Sequence, residues 1–338
     1  MNYRIFSKYR TELMGVAMLW VMFFHAWDLD MGHPLLEWVR AAGFGGVDIF
    51  ILLSAMGLVL SLSKKEQDYT SFMARRGSRI LPAYYAVAIP YTLFLIIYKG
   101  IPWSALVWNT TLLYYWLRSA GAFNWYVAGV MTFYAVTPFC FRKLRTAKRR
   151  ELLVGAGVVV SFLLCQLFVR EGYWYVTDVA YRVPVFFLGL LLGFYVLEER
   201  KIGRNDFCFW LFWGAMGILY LIISKVEQDM WLFPLCHLFL FTTVPMCFVL
   251  CAAFEKLPLD WPRKFFRLVG THSLEIYLLN VSVFSEIGLW RKIFIFGPTN
   301  RLYWLVIFAL NIALGVGLHW GVEKCSVKNA QSGMEMKR

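Results

Sequence analysis

Long apolar runs separated by short polar loops recur from one end of the chain to the other. Ten of them are long enough to cross the roughly 30 Å hydrocarbon core of a bilayer as helices. They cover residues 12–28, 45–62, 80–98, 123–141, 152–169, 183–198, 207–224, 232–253, 268–287 and 302–322. The pattern predicts an all-α fold, a polytopic membrane helix bundle of about ten transmembrane helices.

An eleventh apolar segment, Trp103–Leu117, is shorter and carries Asn109, Thr110 and Thr111. If it does not cross, 25 of the 34 lysines and arginines lie on the side of both termini, and nine lie opposite. If it crosses, the split becomes 15 against 19. The positive-inside rule therefore favours ten spans in the plasma or inner membrane with both termini cytoplasmic. Residues 103–117 then form a re-entrant or interfacial segment on the outer side.

The composition agrees with a membrane protein, since only 16% of the residues are charged whereas about 25% is usual for a soluble domain. The net charge of +13 comes from basic residues in loops between apolar runs, so we expect no nucleic-acid binding. Seven cysteines without a C-x-x-C pair indicate packing residues, with neither a metal site nor a disulfide framework.

His25 lies near the end of the first apolar run, which is uncharged from Leu13 to Phe24. At about 1.5 Å per residue it is roughly 20 Å from Glu12, at a depth where ionisable groups face a bundle interior or a cavity. Asp48 enters the second run from the outer side at a similar depth. A carboxylate beside an imidazole fixes its tautomer and supports a general base. The alternatives are a structural histidine and an interfacial carboxylate.

Three arginines crowd the cytoplasmic start of the third span in the sequence R-R-G-S-R-I-L-P-A-Y-Y, which runs from Arg75 to Tyr85. Arg75 and Arg79 share a helix face, and Arg76 is adjacent. Arginine forks match phosphate oxygens, so the cluster fits a phosphorylated ligand. The alternative is that these charges only orient the helix.

These three segments resemble motifs of the acyltransferase-3 family of integral membrane O-acyltransferases. The first helix matches an L-x-x-[IVL]-A run that ends in His25. The second and third match G-x-G-V-D-x-F-F-x-L-S-G and R-R-x-x-R-I-x-P-x-Y. Three later segments that resemble the family are Asn124–Pro138, Arg182–Gly193 and Gly270–Asn280. The likeness assigns residues 1–325 to one transmembrane acyltransferase domain and 326–338 to a polar cytoplasmic tail, without the esterase-like extra domain of some members.

Two positions depart from the family pattern. The family usually has an arginine eleven residues before the histidine, on the same helix face, but this chain has Met14 there. Arg10, one turn earlier, is the candidate substitute. Asn280 stands where many members have a second histidine.

The resemblance implies transfer of an acyl group, most often acetyl, from cytoplasmic acetyl-CoA to a hydroxyl of a cell-envelope carbohydrate or lipid-linked acceptor. His25 would be the general base, with Asp48 orienting it. The expected donor site contains Arg10, Arg75, Arg76, Arg79 and Tyr84, and the expected acceptor site contains Trp125, Asp178, Arg182 and Glu275. The alternative is a transporter that exports a lipid-linked sugar or a small anion with His25 and Asp48 as a proton relay.

Overall fold

The computed structural model describes residues 2–64, 67–117, 123–226, 237–286 and 301–335. Within these ranges, every predicted span has a helix along most of its described length. The helices, in chain order, are α1 Arg4–Lys8, α2 Arg10–Phe24, α3 Pro34–Ala41, α4 Gly46–Lys64, α5 Tyr69–Lys99, α6 Ser104–Thr110, α7 Trp125–Thr146, α8 Arg150–Arg170, α9 Thr177–Ala180, α10 Val183–Leu197, α11 Arg204–Val226, α12 Leu238–Lys256, α13 Asp260–Thr271, α14 Ser273–Leu279 and α15 Arg301–Glu335. A π-helical segment, Asn280–Glu286, continues α14.

Each predicted span overlaps a helix, and within the described ranges seven helical segments are long and apolar enough to cross a membrane. They are Pro34–Lys64, Tyr69–Lys99, Arg150–Arg170, Thr177–Leu197, Arg204–Ile223, Leu238–Lys256 and Arg301–Cys325. The fold is therefore an all-α polytopic bundle. The count of ten is not confirmed, because three predicted spans have no counterpart among the seven. Helix α2 has only 15 residues, α7 is long enough but not apolar enough, and the predicted span 268–287 is interrupted at His272, between α13 and α14.

Residues 103–117 contain α6, whose seven residues rise only about 10 Å. This length agrees with the prediction that the segment does not cross. The buried side chain of Asn109 fixes it, donating from Nδ2 to Thr92 Oγ1 at 2.8 Å and accepting the Phe123 N–H at 3.1 Å. Tyr84 of α5 donates its hydroxyl hydrogen to the Asn109 carbonyl at 2.8 Å.

The predicted polar tail begins within α15. The helix continues through Glu335, so most of residues 326–338 is helical, and residues 336–338 lie outside the described residues.

Helix α4 is buried along most of its length, between α2 and α10. Helices α2 and α13 cross at very close range, because glycines face the partner backbone on both sides. A Cβ at Gly15 would overlap the Phe266 carbonyl, and a Cβ at Gly270 would overlap the Thr11 carbonyl. Close glycine contacts of this kind let membrane helices pack backbone to backbone. They bring the start of α2 and the start of α14 to the same cavity.

Candidate active site

A cavity of about 390 Å³ opens between α2, α4, α5, α7, α14 and α15. Three arginines line it: Arg10 from α2, and Arg76 and Arg79 from α5. Arg76 donates from Nη2 to Ser61 Oγ at 2.7 Å, and Arg10 donates from Nε to the Leu53 carbonyl at 3.1 Å. We call this space the arginine cavity. Three guanidinium groups in one cavity would suit an anionic ligand, because arginine forks match the oxygens of phosphates and carboxylates.

Arg10 and Met14 both line the arginine cavity. Arg10 reaches it because α4 has a glycine opposite: a Cβ at Gly57 would lie 2.8 Å from the guanidinium carbon. The arginine one turn before Met14 thus places a guanidinium in the same cavity.

Arg75 is exposed and is not among the residues that line the arginine cavity. Of the three arginines predicted at the donor site, the structure brings Arg76 and Arg79 together in this cavity and leaves Arg75 outside it. Arg76 and Arg79 are three residues apart and share a helix face. Tyr84 is also outside this cavity, because its buried hydroxyl is bonded to Asn109. Its observed contact holds residues 103–117 against α5.

Tyr134 of α7 also lines the arginine cavity, and the charges of Arg10, Arg76 and Arg79 act on its hydroxyl. The sequence analysis did not select it. Its only signal was its place in the segment Asn124–Pro138, which resembles the family, and a tyrosine in a membrane helix is more often a packing residue.

Glu275 of α14 lies in the arginine cavity rather than beside the expected acceptor residues. Its Oε1 is 2.9 Å from Nδ1 of His319 on α15, and the His272 ring packs edge-on against His319 with centroids 4.8 Å apart. No local pattern predicts this pair, because its members are 44 residues apart on different helices.

A second cavity, of about 280 Å³, lies at the other end of α2. We call it the histidine cavity, because the His25 ring lines it together with Trp125, Asp178, Arg182 and Tyr277. The structure thus brings together the expected base and three of the four residues expected at the acceptor site.

Arg182 is only 4% exposed and is held on three sides. Its guanidinium carbon is 4.5 Å from the centre of the Trp125 ring, its Nη1 donates to the Asp178 carbonyl at 2.6 Å, and its Nε is 3.7 Å from Oδ2 of Asp48. A cation over an indole face is favourable, more so when it is shielded from water.

The carboxylate of Asp48, 2% exposed, faces Arg182. Among the described contacts, it is Asn280 and the Val21 carbonyl that face the His25 imidazole. The predicted direct contact between Asp48 and His25 is therefore corrected. Similar depth in the membrane did not determine which way the Asp48 side chain points around α4.

The two cavities share two lining residues, Val47 and Tyr277. The ring of Tyr277 packs edge-on against Tyr126, with centroids 4.9 Å apart. A thin wall of side chains therefore separates an anion site from a site with an imidazole. This arrangement suits a long anionic ligand whose uncharged end reacts next to a base.

A sequence model of the acyltransferase 3 family, described as an acyltransferase domain, matches residues 13–320. Together with the helical bundle this defines a multi-pass membrane acyltransferase. The chain belongs to the acyltransferase 3 family. No curated protein and no solved structure matches it.

Proposed function

We propose that the protein transfers an acetyl group from acetyl-CoA to a hydroxyl of a cell-envelope carbohydrate or a lipid-linked acceptor. The observation that carries this proposal is the shared wall between the arginine cavity and the histidine cavity. The phosphates of CoA suit the guanidinium groups of Arg10, Arg76 and Arg79. The pantetheine arm is uncharged and narrow, so the thioester end suits a position beside Tyr277, where the two cavities share lining residues.

The proposed reaction uses His25 as general base, and Asp48 acts indirectly, through Arg182. The imidazole takes the proton of the acceptor hydroxyl as its oxygen attacks the thioester carbonyl carbon. The tetrahedral intermediate then collapses, the C–S bond breaks, and the departing CoA thiolate takes the proton back from His25. Asp48 acts by holding Arg182, which with Trp125 and Asp178 forms the proposed acceptor side.

The orientation of the chain supports the same assignment. The arginine cavity includes Arg76 and Arg79 from the N-terminal half of α5, and α5 follows the loop expected in the cytoplasm, where acyl-CoA is found. The histidine cavity lies toward the opposite surface, where an envelope acceptor would approach.

The test is CoA release from acetyl-CoA by the purified protein in lipid nanodiscs, with and without cell-envelope glycan. We expect turnover by the wild type, none by His25→Ala, and a KM for acetyl-CoA at least tenfold higher for Arg79→Ala. Arg75→Ala is the matched control, because this arginine is on the same helix but outside the cavity, and its KM should stay at the wild-type value. Wild-type protein that neither binds nor turns over acetyl-CoA at millimolar concentration would contradict the proposal and favour transport.

A further inference from the structure

Asn280 and His25 meet where two helices end. His25 follows the last residue of α2, and Asn280 follows the last residue of α14. Apolar side chains next to each hold the two ends together: Ala26 and Leu29 pack in one cluster with Leu279 and Phe284. The approach of Asn280 to the imidazole is thus fixed by packing on both sides.

The backbone around Asn280 is unusual. The α-helical turns of α14 stop at Leu279, and the chain continues as a π-helix from Asn280 to Glu286. Widened turns of this kind are rare and are frequent at functional sites, because they change the direction in which a side chain projects.

The polar groups of the pair are deeply buried. Asn280 is 3% exposed, and its side chain lies near the His25 imidazole. The approach is a long one, since neither Nδ1 of His25 nor Oδ1 of Asn280 has a partner at ordinary hydrogen-bond distance within the described part of the chain. Catalytic hydrogen bonds are often long before substrate binds and shorten in the complex. Leaving either atom unpaired would be costly.

We infer that Asn280 is the positioning residue of His25: its amide oxygen, on the same side of the ring as the Val21 carbonyl, accepts a ring N–H and leaves the other ring nitrogen to act as base. A base needs one fixed tautomer, and a hydrogen-bond acceptor on the opposite nitrogen sets it. Asp48 does not take this role, because it is paired with Arg182. The inference rests on the proposed function of His25.

An amide and a carboxylate in this position have different consequences. The charged or titratable groups that line the histidine cavity are Asp178, Arg182 and Tyr277, with Asp48 behind Arg182. Asn280 adds no charge to them. A carboxylate in its place would stabilise the protonated imidazole, which cannot act as a base.

The experiment compares Asn280→Ala and Asn280→Asp with the wild type in the CoA-release assay, across the pH range. The matched control is Asn311→Ala, because Asn311 of α15 is also fully buried but lines neither cavity. We expect Asn280→Ala to lower kcat by 10- to 100-fold, on the order of the effect of removing a group that orients a functional histidine, with the KM for acetyl-CoA unchanged. Asn280→Asp, which has nearly the same shape, should move the acidic limb of the kcat profile to higher pH by about one unit or more.

Two results would overturn the inference: kcat and pH profile of Asn280→Ala equal to those of the wild type, or a loss no larger than that of Asn311→Ala. If Asn280→Ala does not fold, an unshifted pH profile for Asn280→Asp would overturn the inference instead. Failure of the proposed function is distinct, since wild-type protein would then release no CoA. An active wild type, an inactive His25→Ala and silent Asn280 variants would refute only the role of Asn280.

Discussion

The buried pair between Asp48 and Arg182 allows a quantitative prediction about stability. Its nitrogen and oxygen atoms are 3.7 Å apart, and the two side chains are 2% and 4% exposed. With an effective dielectric constant of about 20, unit charges at that distance attract by about 4 kcal/mol. Removal of one partner also leaves an unpaired charge away from water, which costs about 3–5 kcal/mol.

We therefore expect Asp48→Asn and Arg182→Met each to lower the free energy of unfolding by about 3 kcal/mol. The double substitution should cost clearly less than the sum of the two, because no buried charge is then left alone. A coupling energy of about 2 kcal/mol or more is expected, within the range seen for residues in contact. The assay is reversible unfolding in mixed detergent and SDS micelles, followed by tryptophan fluorescence.

The control cycle uses Arg4 and Glu199, which form an ion pair of 2.9 Å but are more than half exposed. Solvent and salt screen such a pair, so its coupling should be close to zero. If the coupling between Asp48 and Arg182 is as small as that of the control, the reasoning from burial is wrong.

Three further predictions concern single residues. Gly15→Ala should lower the free energy of unfolding by about 2 kcal/mol or more, because the added methyl group would overlap the backbone of α13. Gly155→Ala is the control and should raise the free energy of unfolding slightly, because nothing lies within 4 Å of the added methyl group. Thermal unfolding of the two variants makes the comparison. Tyr84→Phe should lower the free energy of unfolding by about 1 kcal/mol, because its hydrogen bond to Asn109 is lost, and should leave the KM for acetyl-CoA unchanged. A raised KM would show that Tyr84 belongs to the donor site after all. Glu275→Ala should lower the free energy of unfolding by about 1–3 kcal/mol, because His319 loses its hydrogen-bond partner. Glu275→Gln keeps an acceptor and should lower it less. Equal decreases for the two variants in chemical denaturation would contradict this.

The helices were the most predictable part of the fold. Long apolar runs determine where a membrane helix can form, so each predicted span contains one. The number of helices that meet a strict length and hydropathy criterion was less predictable. The 15-residue length of α2 and the break at His272 depend on how these segments pack against neighbours.

The sequence predicted which candidate residues lie near one another better than it predicted which side chains pair. His25, Trp125, Asp178 and Arg182 were expected on one side of the bundle, and they share a cavity. Which side of a helix a residue occupies relative to its neighbours is a tertiary property.

Asp48 is an example: its carboxylate was expected to contact the His25 ring, but it faces Arg182. Spacing predicted Arg75 and Arg79 on one helix face, but the three-residue interval between Arg76 and Arg79 fits one face as well, and it is this pair that lines the cavity. The contact between the Glu275 carboxylate and the His319 ring joins two helices that are distant in the sequence, and no sequence spacing indicates it.

The central claim is that an acyl group enters from the arginine cavity and reaches the histidine cavity. The most direct measurement is photo-crosslinking of the purified protein with an acyl-CoA whose short acyl chain carries a diazirine, followed by peptide mass spectrometry. We expect adducts on the residues around the shared wall, Val47, Tyr277 and His25, which excess acetyl-CoA suppresses and which Arg79→Ala weakens. Adducts confined to the lipid-facing surface, or adducts that excess acetyl-CoA does not suppress, would contradict the account.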